Sequence, residues 1–176
     1  MKNKGIILLI MLLLGVAAVF GLRDHSGRSP KKAAVGLEAP DFTLKDTEGR
    51  VWKLSDLRNK VVLVNFWASW CDSCKEENPS IQRLVNAGKG NDKLVILSVL
   101  FKDDPAKAMG YMKASGFSYP VLIDDKNISS RYGLTGVPET FIIDKKGTIR
   151  QKIVGPITWD TPEVRTALAG LIDEKS

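Results

Sequence analysis

Two cysteines are the whole thiol content of this chain, and both stand in WASWCDSCKEENP, Trp67 to Pro79. Only Asp72 and Ser73 separate Cys71 from Cys74. The run before them, VVLVNFW (Val61 to Trp67), is almost continuously apolar and β-branched, as a strand covered on both faces should be. After them, Ile81, Leu84 and Val85 share one helical face and Gly88 supplies a stop. The pair therefore falls where a buried strand gives way to a helix. The first helical turn has unpaired N–H groups and a partial positive charge. A thiolate at Cys71 is stabilised there, and only the thiolate attacks a disulfide. Cys74, one turn on, is close enough to resolve the mixed disulfide and release the partner. Three other readings stay open. A structural disulfide would close so short a loop that it removes little unfolded-state entropy. A metal half-site would need further ligands, and the single histidine, His25, lies far away in a polar segment. Two inert buried thiols would be out of place at an exposed junction.

The rest of the chain supplies a frame for that junction. Asp41 to Leu54 holds two short extended runs around Asp46-Thr47-Glu48-Gly49, a hairpin pattern, and Ser55 to Asn59 reads as a turn or short helix. Leu94 to Leu100 is a second buried strand. Asp104-Pro105 is an N-cap with proline at the first helical position, and Gly116 suits the end of that helix. Val121 to Ile123 reads as a short strand and Ile128 to Tyr132 as one helical turn. Thr140 to Ile143 and Thr148 to Val154 flank the turn signal Asp144-Lys145-Lys146-Gly147. Thr161-Pro162 opens a last helix with Val164, Leu168, Leu171 and Ile172 on one side. The order predicts an α/β domain with a central mixed sheet, parallel in the middle and antiparallel where hairpins are added. Trp52, Phe66, Trp67 and Phe141 read as core aromatics, while Trp159 fits either core or an exposed contact.

At 176 residues the chain is long enough for one ordinary domain with a real core. The net charge is +6, of which Lys2 and Lys4 carry two. What remains is too little to argue for nucleic acid, and no basic stripe is interleaved with aromatics. Gly5 to Leu22 carries no charged residue. As a helix it would span about 27 Å, just short of a hydrocarbon core of about 30 Å. Either a cleaved signal peptide or a retained anchor fits. The absence of a small-x-small pattern in VFGLRD favours the anchor, with the domain outside. Residues 1–22 are thus the anchor, 23–35 a polar tether, and 36–176 the folded domain.

VNFWASWCDSCKEENP, with GLEAPDFTL (Gly36 to Leu44) and GVPETFIID (Gly136 to Asp144), resembles the thioredoxin superfamily. More narrowly it resembles the membrane-tethered thiol-disulfide oxidoreductases of the TlpA/ResA/DsbE (CcmG) type. KDDPAKAMGYMKASGFSYPVLIDD looks like that group's central insertion. The resemblance implies a thioredoxin-like fold with an N-terminal hairpin. It implies that Cys71 is the exposed attacking cysteine and Cys74 the buried resolving one. Trp70 would pack beside the disulfide. Pro138 would be a cis-proline facing it, leaving the Val137 backbone to pair with an extended client. Glu77 and Glu139 match acids near the active site in different branches, where either could tune a thiol or handle a proton; surface solvation is the alternative for each. Pro79 matches a helix-kinking proline.

Two departures matter. Where thioredoxin has a buried aspartate, six positions before the first cysteine, stands Asn65, which cannot exchange a proton. Asp72 beside Cys71 should disfavour the thiolate and lower the potential, toward thioredoxin's ~ −270 mV rather than ~ −120 mV, with Lys75 pulling the other way. The expected activity is protein-disulfide reduction on the periplasmic side of the cytoplasmic membrane, by a monomer that needs no metal or cofactor beyond the Cys71–Cys74 dithiol. The resemblance implies apocytochrome c as client and a CcdA/DsbD-type membrane thiol carrier as electron donor. Alternatives are another client, such as a copper-site assembly or sporulation protein, and a peroxiredoxin-like peroxidase, which would need a Thr-x-x-Cys loop where FWASWCDSC stands. A non-catalytic binding module and an oxidase of folding proteins complete the alternatives.

Overall fold

Val61–Trp67 is buried at every position, and that continuous apolar run makes it the central strand. The computed structural model describes residues 32–88, 90 and 92–175. The Gly5–Leu22 run and the tether as far as Lys31 lie outside the described residues. Among the described residues no helix is long and apolar enough to cross a membrane. Backbone contact with the domain starts slightly before Gly36, where the Ala33 N–H donates to the Arg131 carbonyl.

The described elements are β1 (Thr43–Lys45), β2 (Val51–Lys53), a 3-10 turn (Leu54–Leu57), β3 (Val61–Trp67), α1 (Asp72–Ala87) and β4 (Leu94–Leu100). Then follow α2 (Pro105–Ala114), β5 (Val121–Ile123), α3 (Ile128–Arg131), β6 (Glu139–Ile143), β7 (Ile149–Val154) and α4 (Pro162–Asp173). One sheet runs β5-β4-β3-β6-β7, and β1-β2 form a separate hairpin. β3, β4 and β5 are parallel, joined by the crossover helices; β6 and β7 are antiparallel additions. The expected mixed sheet is thus present.

Side-chain alternation along β3 sorts the core into two layers. Val61, Leu63 and Trp67 pack with Ile81 and Leu84 of α1, Met112 of α2, Leu168 of α4, and Trp159. Val62, Val64 and Phe66 pack with the hairpin's Phe42 and Leu44, with Tyr132, and with Phe141 of β6. In the second layer Tyr132 meets Phe66 and Phe141 at centroid distances of 5.4 and 5.0 Å, and its hydroxyl donates to the Pro40 carbonyl at 3.0 Å. The helix starts are capped as read: the Asp104 side chain accepts from Ala106 N–H and the Thr161 side chain from Val164 N–H. In the β6–β7 turn the Gly147 N–H donates to Asp144 O, and its φ of +84° is the left-handed conformation that favours glycine there.

Trp159 lies in the core, fully buried. Trp52 is half-buried on β2, packed against the second layer with its indole N–H donating to a carboxylate at the hairpin turn. Asp46 organises that turn. One oxygen accepts the Glu48 and Arg50 backbone N–H groups, each at 2.9 Å, and the other accepts Arg50 Nε at 2.8 Å and Trp52 Nε1 at 2.9 Å. Burial would raise the carboxyl, but the Trp52 and Arg50 donors outweigh it and hold it below its ordinary range. Its contribution is therefore present above the unfolded carboxylate range and lost as pH falls through the lowered folded value. Asp46→Ala is expected to cost about 2 kcal/mol at neutral pH in urea unfolding, with a smaller difference at strongly acid pH.

Candidate active site

The strand-to-helix junction is built around one sulfur. Cys71 is the N-cap of α1, in extended conformation, and its Sγ accepts the backbone N–H of Cys74 at 3.1 Å. A thiolate there would take the same N–H and the positive end of a sixteen-residue helix. Cys71 and Cys74 are joined as a disulfide with Cα atoms 5.3 Å apart. Cys71 keeps 6% of its surface and Cys74 none. The first cysteine is the more open, but by a narrow opening, tighter than the exposed cysteine that was expected.

The walls of that opening come from separate elements. The Val137–Pro138 peptide is cis, and the Val137 carbonyl oxygen lies 3.6 Å from Cys71 Sγ. Ser73 Oγ approaches the same sulfur at 3.4 Å. Trp70 stands 56% exposed, its indole N–H donating to the Lys102 carbonyl at 3.2 Å. The loop after β4 also holds the segment before the cysteines, because Asp103 accepts the Ser69 N–H at 2.5 Å. Asp72 points into solvent and pairs with Lys75 at 3.1 Å. Paired with a cation and screened by solvent, the Asp72 charge acts on the sulfur less than its place beside Cys71 suggests.

Both candidate acids are buried, which excludes the solvated-surface reading for Glu77 and Glu139 alike. They sit on opposite faces of the sheet. Glu77 lies one turn beyond Cys74 on α1, and its Oε1 accepts Asn65 Nδ2 at 2.7 Å. Asn65 also donates to Thr140 Oγ1 at 2.8 Å, and the Ile157 N–H reaches Glu77 Oε2 at 3.3 Å. The buried Trp159 indole N–H lies nearby but has no partner in hydrogen-bond geometry. Burial pushes the Glu77 carboxyl up to about 6, the Asn65 and Ile157 donors opposing it. Asn65 thus presents no titrating group of its own but positions one that comes from the helix.

Glu139 shares the parity of Phe141 on β6 and so faces the hairpin-side layer. Its Oε1 accepts the Thr135 hydroxyl at 2.5 Å and the Thr135 N–H at 2.9 Å, and its Oε2 pairs with Lys152 Nζ at 2.9 Å. Burial alone would raise it; the Thr135 and Lys152 contacts prevail and hold it below the usual carboxylate range. Thr135, Thr140, Ile157 and Lys152 carry no sequence signal of their own. The register that pairs Asn65 with Thr140 would have revealed one of them.

Residues 35–152 match the family described as the AhpC/TSA family. The chain is 32% identical over 160 residues to the thiol-disulfide oxidoreductase ResA of Geobacillus thermodenitrificans, covering 89% of this chain and 91% of that protein. It is 35% identical over 172 residues to the thiol:disulfide interchange protein HelX of Rhodobacter capsulatus, covering 94% and 95%. The chain belongs to the AhpC/TSA family, among its thiol-disulfide oxidoreductases. A crystal structure of a putative thiol:disulfide interchange protein DsbE from Chlorobium tepidum superposes with a TM-score of 0.71 at 27% identity, over 80% of this chain and 99% of that one. The family's thioredoxin-like fold is the architecture described above, and Cys71 and Cys74 form a Cys-x-x-Cys pair at disulfide distance within it.

The raised Glu77 carboxyl has a thermodynamic consequence. The folded state binds this proton more tightly than the unfolded chain, so the group's contribution is most favourable at low pH and is lost as pH rises through about 6. Ionised Glu77 costs the fold about 2 kcal/mol at pH 8 relative to pH 4. Glu77→Gln keeps an acceptor for Asn65 and removes the charge. It is expected to stabilise the oxidised protein by about 1–2 kcal/mol at pH 8, and to change it little at pH 4, in urea unfolding.

Proposed function

We propose that the chain is an extracytoplasmic reductant of disulfides in protein clients, with Cys71 as nucleophile, Cys74 as resolving thiol and Gly5–Leu22 as membrane anchor. The observation that carries this reading is the placement of Cys71 Sγ, which caps α1 and lies 3.6 Å from the carbonyl of the cis Val137–Pro138 segment. A nucleophile held by a helix amide beside a bare stretch of backbone is suited to an extended client segment laid across Val137. The exposed face of Trp70 offers that segment an apolar platform.

In the reduced protein the Cys71 thiolate attacks one sulfur of a client disulfide. The new bond joins Cys71 to the client, and the client's other sulfur leaves as a thiolate and takes a proton. Cys74 must then lose its own proton before it attacks Cys71 Sγ. Glu77, one helical turn away and ionised above about 6, is the candidate to receive it. Attack by Cys74 forms the intramolecular disulfide and frees the second client thiolate. Two electrons have passed to the client, and the Cys71–Cys74 bond described above is the product state.

One relative is named a thiol-disulfide oxidoreductase and another a thiol:disulfide interchange protein, which supports protein clients for this chain. The Pro-Glu-Thr-Phe of Pro138 to Phe141 favours the cysteine pair of apocytochrome c as the client, reduced before haem attachment. The electrons would come from a membrane dithiol carrier of the CcdA/DsbD kind. The test is trapping. Cys74→Ser is expected to accumulate a mixed disulfide through Cys71 that mass spectrometry assigns to an apocytochrome c, while Cys71→Ser traps nothing and loses insulin reduction. A trapped partner of another kind would overturn the client, and undiminished insulin reduction by Cys71→Ser would overturn the chemistry.

A further inference from the structure

The segment between β7 and α4, Gly155 to Asp160, is fastened along the helix that carries the cysteines. The Gly155 N–H donates to the Pro138 carbonyl at 2.9 Å. The Ile157 N–H donates to Glu77 Oε2 at 3.3 Å, and the Trp159 N–H donates to Ser80 Oγ at 3.0 Å. Asp160 takes a two-pronged contact from Arg83, Nε to Oδ2 at 2.6 Å and Nη2 to Oδ1 at 3.1 Å. The three helix residues fall at Glu77, Ser80 and Arg83, a spacing of three that continues the stripe of Cys71 and Cys74. Along the segment Ile157 and Trp159 turn inward while Pro156 and Thr158 are exposed. Ser80 locks the arrangement from the helix side, its hydroxyl donating to the Glu77 carbonyl at 2.7 Å. Trp159 also walls off an apolar cavity of about 210 Å³ that Ile142, Ile157 and Leu168 help to line.

We propose that Gly155–Asp160 is a strap that shuts the Glu77 carboxyl away from water, and that Ser80, Arg83 and Asp160 are positioning residues that hold it closed. The inference deepens the role given to Glu77 above and rests on that reading for its bearing on exchange. The groups acting on Glu77 come from several elements. Asn65 reaches it from β3, backed by Thr140 of β6; the Ile157 amide reaches it from the strap, with the unpartnered Trp159 indole nearby. Cys74 lies on its own helix, and the phenol of Tyr119, whose ionisation burial disfavours, faces it from the approach to β5. Burial is the largest influence on the carboxyl, and the strap supplies one wall of that burial. The Arg83–Asp160 contact lies at the surface, so it can be removed without touching the core.

The test uses the full oxidised chain with Arg83→Ala and Asp160→Asn combined. Two readouts are followed by NMR: amide exchange at Ile157 and Trp159, and the titration midpoint of the Glu77 side-chain carboxyl. Exchange is expected to accelerate at least about tenfold as the strap opens more often. The midpoint is expected to fall from about 6 toward the ordinary 4.5, and the exchanged pair Arg83→Asp with Asp160→Arg is expected to restore both. An unchanged or raised midpoint, or unchanged amide exchange, overturns the proposal. The pH profile of insulin reduction separates the strap from the role of Glu77. A midpoint that moves without the profile following leaves the strap in place and removes Glu77 from the exchange reaction.

Discussion

The Cys74 amide aimed at the Cys71 sulfur is the contact on which the rest depends. It exists because a strand covered on both faces must end abruptly, and the chain turns directly into a helix whose first N–H groups have no intrahelical partner. A serine or aspartate at that position would make an ordinary cap. A cysteine makes the same cap through sulfur, and in the proposed reaction the bond that starts the helix would stabilise the ionised sulfur. The sheet order places β6 next to β3, and this brings the Val137–Pro138 peptide over that sulfur.

Two buried acids on opposite faces of the sheet have opposite electrostatic settings. Glu139 is matched with a lysine and two donors and stays ionised through the neutral range. Glu77 has neutral donors only in direct contact, and burial pushes its carboxyl up to about 6. The central sheet lies between them, so each acid answers to its own layer. This division suits one acid to a fixed charge and the other to proton movement, two tasks that a single carboxylate could not perform at one pH.

Much of this was legible in the sequence because it is local. Val61–Trp67 and Leu94–Leu100 became the strands they suggested, and Asp104-Pro105 and Thr161-Pro162 capped their helices. The cysteine pair and both flanking elements occupy one continuous stretch, so spacing alone suggested their chemistry. Glu77 was harder. In Lys75-Glu76-Glu77-Asn78 it reads like a solvated helical face, yet Glu77 and Asn78 are buried. Its partners come from positions 65 and 157, and only the sheet register and the return of the chain after β7 bring them together. Trp52 shows the converse. An aromatic that reads as core lies half-buried at the core's edge, bonded to the buried Asp46. Little in GPITWD announces a strap, because its bonds run through backbone amides except for the Asp160 carboxylate, whose partner Arg83 is 77 positions away.

The most direct check on the capping sulfur is the pH dependence of alkylation in the reduced protein, followed at each cysteine by mass spectrometry. The account predicts that Cys71 reacts with a midpoint clearly below the ordinary thiol value of about 8.5, while Cys74 stays protected over the same range. A Cys71 midpoint at or above 8.5, or equal reactivity of the two thiols, would contradict it.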